Sequence, residues 1–238
     1  MNWEDSKCCT PLKRDFLREW FAQDQRFFLT GGSALGLFYL DHRRSYDLDL
    51  FTTETVEGKE VQNLILRVSE KIAAQCTGVR SAPDFHRFKL TRGEDREIID
   101  VVVDRGPQLD SLKVCVDGIR VDSLREILAN KLTTLVSRSE LKDLVDLYFL
   151  EKSGCDLLAA IPDAMAKDGG WEPAVVAMLL DEISLEVPPA WLICPVSAAE
   201  LDSFVRRLRL GLAERSLPMG SESGLDSKNE KADRVRGI

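Results

Sequence analysis

Thr30 to Phe51 reads TGGSALGLFYLDHRRSYDLDLF, a glycine turn with a serine joined by one short helix to two aspartates that are one residue apart on an apolar strand. In SYDLDLF, Tyr46, Leu48 and Leu50 point to one face of the strand and Asp47, Asp49 and Phe51 to the other, so the two carboxylates lie roughly 7 Å apart on one face. Two like charges that close invite a cation. Oxygen-only ligands favour a hard ion such as Mg²⁺, with Mn²⁺ as the alternative, which takes one or two carboxylates and completes its shell with water and phosphate oxygens. Upstream, Gly31 and Gly32 allow a tight turn and close approach of the backbone to a ligand. Ser33 stands as the expected N-cap of a helix bearing Ala34, Leu35, Leu37, Phe38 and Leu40, and the turn serves as a phosphate cradle. A Gly-Gly-Ser turn alone fits an ordinary loop, and Asp-x-Asp alone fits a solvated strand edge. Their pairing across so short a helix points to a metal–nucleotide site.

Working outward, Thr10-Pro11 opens an amphipathic helix to about Asp24, with Leu12, Phe16, Leu17, Trp20 and Phe21 on one side. Phe27 to Thr30 is a short strand. After the Asp strand, which ends near Thr52, a helix is expected from about Glu57 to Cys76. Strands follow at Phe85 to Thr91, Glu97 to Val103, Lys113 to Val116 and Ile119 to Val121, the last two closing over Asp117-Gly118 as a hairpin. From Ser123, where SLRE is a capping box, the helical period continues to Glu214. Helices are expected at about 124–137, 140–153, 156–167, 173–185 and 197–214, with a proline-bearing connector from Val187 to Pro195. The expected organisation is a first domain over residues 1–122, a helical domain over 123–216 and a disordered tail over 217–238, which is too poor in apolar residues to repay its ordering entropy.

Two further anomalies carry chemistry. Asp100 interrupts the apolar strand REIIDVVVD and needs a partner there, whether a cation, a metal or a capping group, a buried arginine among them. Lys131 falls inside the stripe Leu124, Ile127, Leu128, Leu132 and Leu135, and Arg138 continues that face seven residues on. Both either point into a cleft toward a triphosphate or form a salt-bridge set with Asp143 and Asp146.

The combination of GGS and DLD resembles the signature of the polymerase β-type nucleotidyltransferase superfamily. The fuller wording GGSALGLFYLDHRRSYDLDLF, with KLTTLVSRSELKDLVDLYFL further on, closely resembles the AbiEii/AbiGii-type toxin nucleotidyltransferases over roughly residues 25–155. That resemblance implies an α+β fold, a minimal nucleotidyltransferase core with a mixed β-sheet followed by a C-terminal helical domain that walls the cleft. It implies a third acidic residue on a neighbouring strand, which Asp100 matches, with Asp104 as the fallback. Its K…R…(K/R)D block falls on Lys131, Arg138, Lys142 and Asp143, where Lys131 would meet the β/γ-phosphates and Asp143 would position it or the nucleotide base.

Together these residues suggest two-metal phosphoryl transfer. Asp47, Asp49 and Asp100 would hold Mg²⁺, the Gly31-Gly32-Ser33 turn would grip the NTP, Lys131 and Arg138 would offset charge on the leaving pyrophosphate, and Asp100 would act on the acceptor hydroxyl. The resemblance further implies NMP transfer to an RNA end, tRNA above all, by a toxin that a cognate antitoxin restrains. Nucleotidylation of a protein or small molecule, and a non-catalytic nucleotide-binding module, remain the alternatives.

Composition sets bounds on these readings. The 238 residues are 44% hydrophobic and 30% charged, enough for one substantial domain or two small ones. There is no long apolar run and no signal-peptide pattern at the amino terminus, so no membrane partner is expected. Six cysteines without Cys-x-x-Cys, and only two histidines, argue against structural zinc and for reduced thiols in a cytoplasmic protein. A net charge of −8 argues against a broad nucleic-acid-coating surface. Local basic grooves are expected at His42-Arg43-Arg44, at Arg87, Lys89 and Arg92, or at Arg206-Arg207-Leu208-Arg209, the last also fitting a solvated helix face.

Overall fold

The computed structural model describes residues 2–138, 140–182 and 190–216. Its centre is a seven-stranded mixed sheet: β1 (Phe28–Thr30), β2 (Asp47–Thr52), β3 (Gln75–Ala82), β4 (Phe85–Arg92), β5 (Asp95–Val103), β6 (Val114–Val116) and β7 (Ile119–Val121), in the order β3-β4-β5-β2-β1-β7-β6. The pairs β2/β5 and β1/β7 are parallel and the others antiparallel. The eight α-helices among the described residues are α1 (Pro11–Gln23), α2 (Gly31–Leu35, continued by a π-helical turn at Gly36–Leu40), α3 (Gly58–Lys71), α4 (Leu124–Ser137), α5 (Leu141–Lys152), α6 (Ile161–Lys167), α7 (Pro173–Leu179) and α8 (Ala198–Ser216).

Alternation along the central strands decides which face is covered. Leu48 and Leu50 of β2, Phe88 and Leu90 of β4, and Ile99 and Val101 of β5 are buried, on the face that meets α1 and α3. The Thr10 hydroxyl accepts the Lys13 N–H at 3.0 Å and caps α1, and Pro11 pre-sets its first turn. From there α1 lays Leu12, Phe16, Leu17, Trp20 and Phe21 into the core. On the opposite face Asp47, Asp49 and Phe51 are only partly buried. One buried apolar cluster runs without a break from Leu48 and Ile99 in the sheet to Leu132, Leu147 and Phe204 in the helices.

Local expectations hold where a side chain dictates the backbone. Asp117 and Gly118 both take positive φ, 51° and 83°, as the two-residue β6–β7 hairpin requires. Ser123 accepts the Glu126 N–H at 3.1 Å and opens α4.

Other boundaries move. The helix expected to reach Cys76 stops at Lys71, where Ala73 turns left-handed at φ 53°, and the chain enters β3, a strand the sequence does not announce. QCTGVRSA is an edge strand exposed on most of its length, so it shows no apolar alternation and is fixed instead by pairing with β4. The helix expected from 156 starts only at Ile161, because the Asp156 carboxylate accepts the N–H groups of Leu158 and Ala159 and forms a turn first. The helix expected over 173–185 is α7 followed by a 3₁₀ turn at Leu180–Glu182, and its end at 183–185 lies outside the described residues. So do 187–189 of the connector and the expected tail at 217–238. The rest of the connector runs beside residues 42–44: Arg44 N–H donates to Trp191 O at 2.8 Å, and the Ile193 and Cys194 N–H groups donate to His42 O at 2.9 Å.

Candidate active site

Strand register brings the acidic residues together. Asp49 on β2 lies opposite Asp100 on β5 and opposite Thr30 on β1, so the two carboxylates are direct neighbours where the glycine turn begins. Gly31 has φ +68°, and a Cβ added there would meet the Asp49 carboxylate; one added at Gly32 would meet the Arg43 guanidinium. The glycines are therefore required by what lies beneath the turn. Gly31→Ala is expected to cost about 1–2 kcal/mol for the left-handed backbone, before the displacement of Asp49 is counted. Thermal unfolding should fall by roughly 2–8 °C, and nucleotide transfer should fall further than that loss explains.

Ser33 is not the expected N-cap. Helix α2 starts at Gly31 behind Thr30, and Ser33 sits inside it, its hydroxyl donating to the Asp47 carbonyl across the turn. The serine ties the glycine turn to the Asp strand.

The two aspartates of β2 differ in ionisation. Against desolvation, which raises it, the hydrogen bond from Ser45 Oγ at 2.6 Å and the charges of Lys142 and Arg43 hold Asp47 below the usual carboxylate value. Asp49 goes the other way. Burial, then the like charges of Asp47 and Asp100, push it to about 7 against the pull of Lys131 and Arg138. A carboxyl poised this way gains from a cation, and two carboxylates on an open sheet face fit a hard divalent ion. Asp100 is buried and held by Arg87 through two bonds, Nε to Oδ1 at 2.7 Å and Nη2 to Oδ2 at 2.6 Å. Its partner is thus an arginine, though one whose own side chain is 43% exposed. Among the described residues no three His, Cys, Asp or Glu side chains form a metal-holding group. The donor pair open to a cation is Asp47 with Asp49. Asp104, the alternative third acid, lies beyond the end of β5 and accepts Gly106 N–H at 2.8 Å and Gln108 Nε2 at 2.7 Å.

Lys131 and Arg138 lie within electrostatic reach of Asp49, but they are paired rather than free. Buried Lys131 donates to Asp143 at 2.8 Å and to Asp146 at 2.7 Å, and Arg138 grips Asp143 at 2.9 and 3.1 Å. The salt-bridge set expected as the alternative is therefore present, and it extends further than the sequence indicates. Asp146 also accepts Arg43 Nε at 2.6 Å and Nη2 at 2.7 Å and meets His42 Nε2 at 2.7 Å. The chain Arg43–Asp146–Lys131–Asp143–Arg138 has one more cation than anion and links the loop before β2 to α4 and α5. This corrects the basic groove expected at His42-Arg43-Arg44, since His42 and Arg43 are buried, spent on Asp146, and only Arg44 is exposed. Arg92 is likewise paired, with Asp15. Arg206, Arg207 and Arg209 pair with Asp202, Glu151 and Asp181 on a solvated helix face.

Sequence reasoning missed the roles of Ser45 and Arg43, and it set Asp146 beside Lys131 but not beside Arg43 and His42. Their spacing to known neighbours was the available signal: Ser45 stands two before Asp47, and Asp146 one helical step after Asp143. A cleft of about 320 Å³ opens beside Asp47, lined by Arg43, Ser45, Tyr46, Arg87, Lys142 and Trp191. The Asp47 carboxylate at its edge and the cations around it suit a divalent ion carrying an anionic ligand.

The sequence profile described as Nucleotidyl transferase AbiEii toxin, Type IV TA system, matches residues 15–215, most of the chain. The chain belongs to the AbiEii family of nucleotidyltransferase toxins. It is therefore an enzyme of the nucleotidyltransferase class. Two solved structures share the fold. A "putative nucleotidyltransferase from H. pylori" is 22% identical with a TM-score of 0.56, over 87% of this chain and 96% of that one. JHP933 from Helicobacter pylori is 22% identical with a TM-score of 0.54, over 86% and 92%. No curated protein matches the chain. Among the described residues of this AbiEii-family chain, no helix is long and apolar enough to cross a membrane.

Proposed function

We propose that this AbiEii-family chain transfers a nucleoside monophosphate from an NTP to the 3′ hydroxyl of an RNA, tRNA among the acceptors, and acts in the cytoplasm as a toxin restrained by a cognate antitoxin. The carrying observation is the placement of Asp47, Asp49 and Asp100 in adjacent register beside the Gly31-Gly32 turn. Mg²⁺ or Mn²⁺ would be held by Asp47 and Asp49, the pair left open once Arg87 takes both oxygens of Asp100, and would supply charge neutralisation on the phosphates.

The residues of the chain do the rest. The Gly31-Gly32-Ser33 turn grips the β/γ end of the nucleotide. Lys131 and Arg138, fixed by Asp143 and Asp146, offset the charge that develops on pyrophosphate. Asp100, which Arg87 orients, takes the proton of the acceptor hydroxyl as its oxygen bonds to the α-phosphorus and the bond to pyrophosphate breaks. The division of the chain near residue 122 then separates a core that carries the acids from helices that carry the cations.

The test is incorporation of each α-labelled NTP into total tRNA with Mg²⁺, intact protein against Asp49→Ala. Label on RNA that vanishes in the variant is the expected result. A folded, nucleotide-binding protein that labels no RNA from any of the four NTPs would sink the RNA reading. The net charge of −8 favours the second reading, a protein or small-molecule acceptor, and label migrating with protein or with the solvent front would identify it.

A further inference from the structure

The open sheet face does not end at the acids. One row further along the strands, about 7 Å away, the same register aligns Phe28, Phe51, Val102 and Phe85 across β1, β2, β5 and β4. Phe51 and Phe85 are partly exposed and form the accessible part of the row, whereas Phe28 is buried at its end, as are Phe16, Trp20 and Phe27 of the opposite layer. Phe28 and Phe51 rings lie 6.4 Å apart. Cations stand over the ends of the row: the Arg80 and Arg87 guanidinium groups each 5.6 Å from the Phe85 ring, and Lys113 Nζ 4.1 Å from the Phe28 ring. Beyond the row opens a second cleft of about 460 Å³ whose lining includes Arg26, Arg105, Lys113 and Arg120.

We infer that this row is the acceptor track, a stacking platform for the unpaired 3′-terminal bases of a single-stranded RNA whose terminal hydroxyl reaches Asp100. The inference rests on the nucleotidyl-transfer reading above and deepens it. A protein or small alcohol would need no aromatic side chains beside the acids. Bases stack on aromatic rings whatever their identity. The phosphates upstream of the end would then cross this cleft, whose lining mixes those cations with Glu54, Asp104 and Asp110, and would meet Arg105, 56% exposed and paired with Asp84 at the surface.

The experiment measures binding of a fluorescein-labelled single-stranded RNA tetranucleotide to the full chain by anisotropy, without NTP. Photo-crosslinking of 5-iodouracil placed next to the 3′ end maps the contact. Phe85→Leu and Phe51→Leu keep apolar volume and remove the ring. Each is expected to weaken binding roughly 10-fold, the loss of one stacked base, with NTP affinity unmoved. Phe85→Tyr should restore it, and crosslinks should fall on the row. Arg105→Gln should lower the salt slope of binding by about one. Unchanged binding in both leucine variants, no binding by the intact chain, or crosslinks confined to Tyr46 and Trp191 would overturn the track. Row-dependent RNA binding without any transfer supports the track while removing the transfer reading. Transfer to RNA that ignores both leucine variants does the reverse.

Discussion

Asp49→Asn is expected to lower nucleotide transfer on the order of 10²–10³-fold and, at pH 8, to raise the melting temperature of the protein. The two effects share one cause. In the native protein burial and the charges of Asp47 and Asp100 push the Asp49 carboxyl to about 7, against an ordinary 3.8. A raised native value means that the folded state holds a proton the unfolded chain has released. The stability tied to that proton is complete below about pH 4 and is lost as pH rises through 7. Above that the fold must carry the charge. Asparagine keeps the shape without the charge, so its advantage should grow between pH 4 and 7 and stay level beyond. Discounted for the partial exposure of the side chain, the gain is on the order of 1–2 kcal/mol, or roughly 2–8 °C. Mg²⁺ should stabilise the parent at pH 8 more than at pH 5.5 and should not stabilise the variant. Melting curves at the two pH values with and without Mg²⁺ check this. A difference between parent and variant that does not change with pH would show that Asp49 is not the strained group.

The sequence carries this part of the site because local rules fix it. Period-two alternation puts Asp47 and Asp49 on one face, and Asp100 declares itself by interrupting an apolar strand. The hairpin at Asp117-Gly118 and the N-cap at Ser123 are legible for the same reason, each dictated by residues within a few positions, whereas the Glu126 side chain expected to close the capping box accepts Leu109 and Asp110 N–H instead. What escapes is set by distant partners. Strand β3 has no alternation of its own and takes its identity from β4. The sequence reads His42 and Arg43 as surface cations because it cannot show Asp146, over 100 residues away, waiting in the interior. Arg87 as the partner of Asp100 depends likewise on β4 pairing with β5. The resemblance that names Lys131 and Arg138 says nothing of how they are held, and here the geometry shows Asp143 between them.

Asp146→Ala should produce the largest loss of stability of any single change near the site. The carboxylate is wholly buried and meets Arg43 twice, His42 and Lys131, all at 2.6–2.7 Å. Burial raises its pKa, but the charges of Lys131 and Arg43 outweigh that and hold it well below the usual range, so its contribution is present at neutral pH and lost only in strong acid. Removing it leaves Lys131 on Asp143 and takes from Arg43 the carboxylate it contacts, with the charges of Asp47 and Asp143 as its remaining pull. Breaking a buried pair this way costs about 3–5 kcal/mol, a fall in melting temperature of roughly 10 °C or more. Activity should fall too, because Arg43 lies against Gly32 and Lys131 and Arg138 share Asp143 beside Asp49. The triple change Arg43→Met, Lys131→Met, Asp146→Leu separates the two consequences. Apolar side chains of similar volume remove the desolvation cost together with the attraction, so melting should return close to that of the parent. Transfer should not return, since Lys131, one of the two cations that offset pyrophosphate charge, is gone. Recovery of transfer together with stability would mean that the network serves the fold alone.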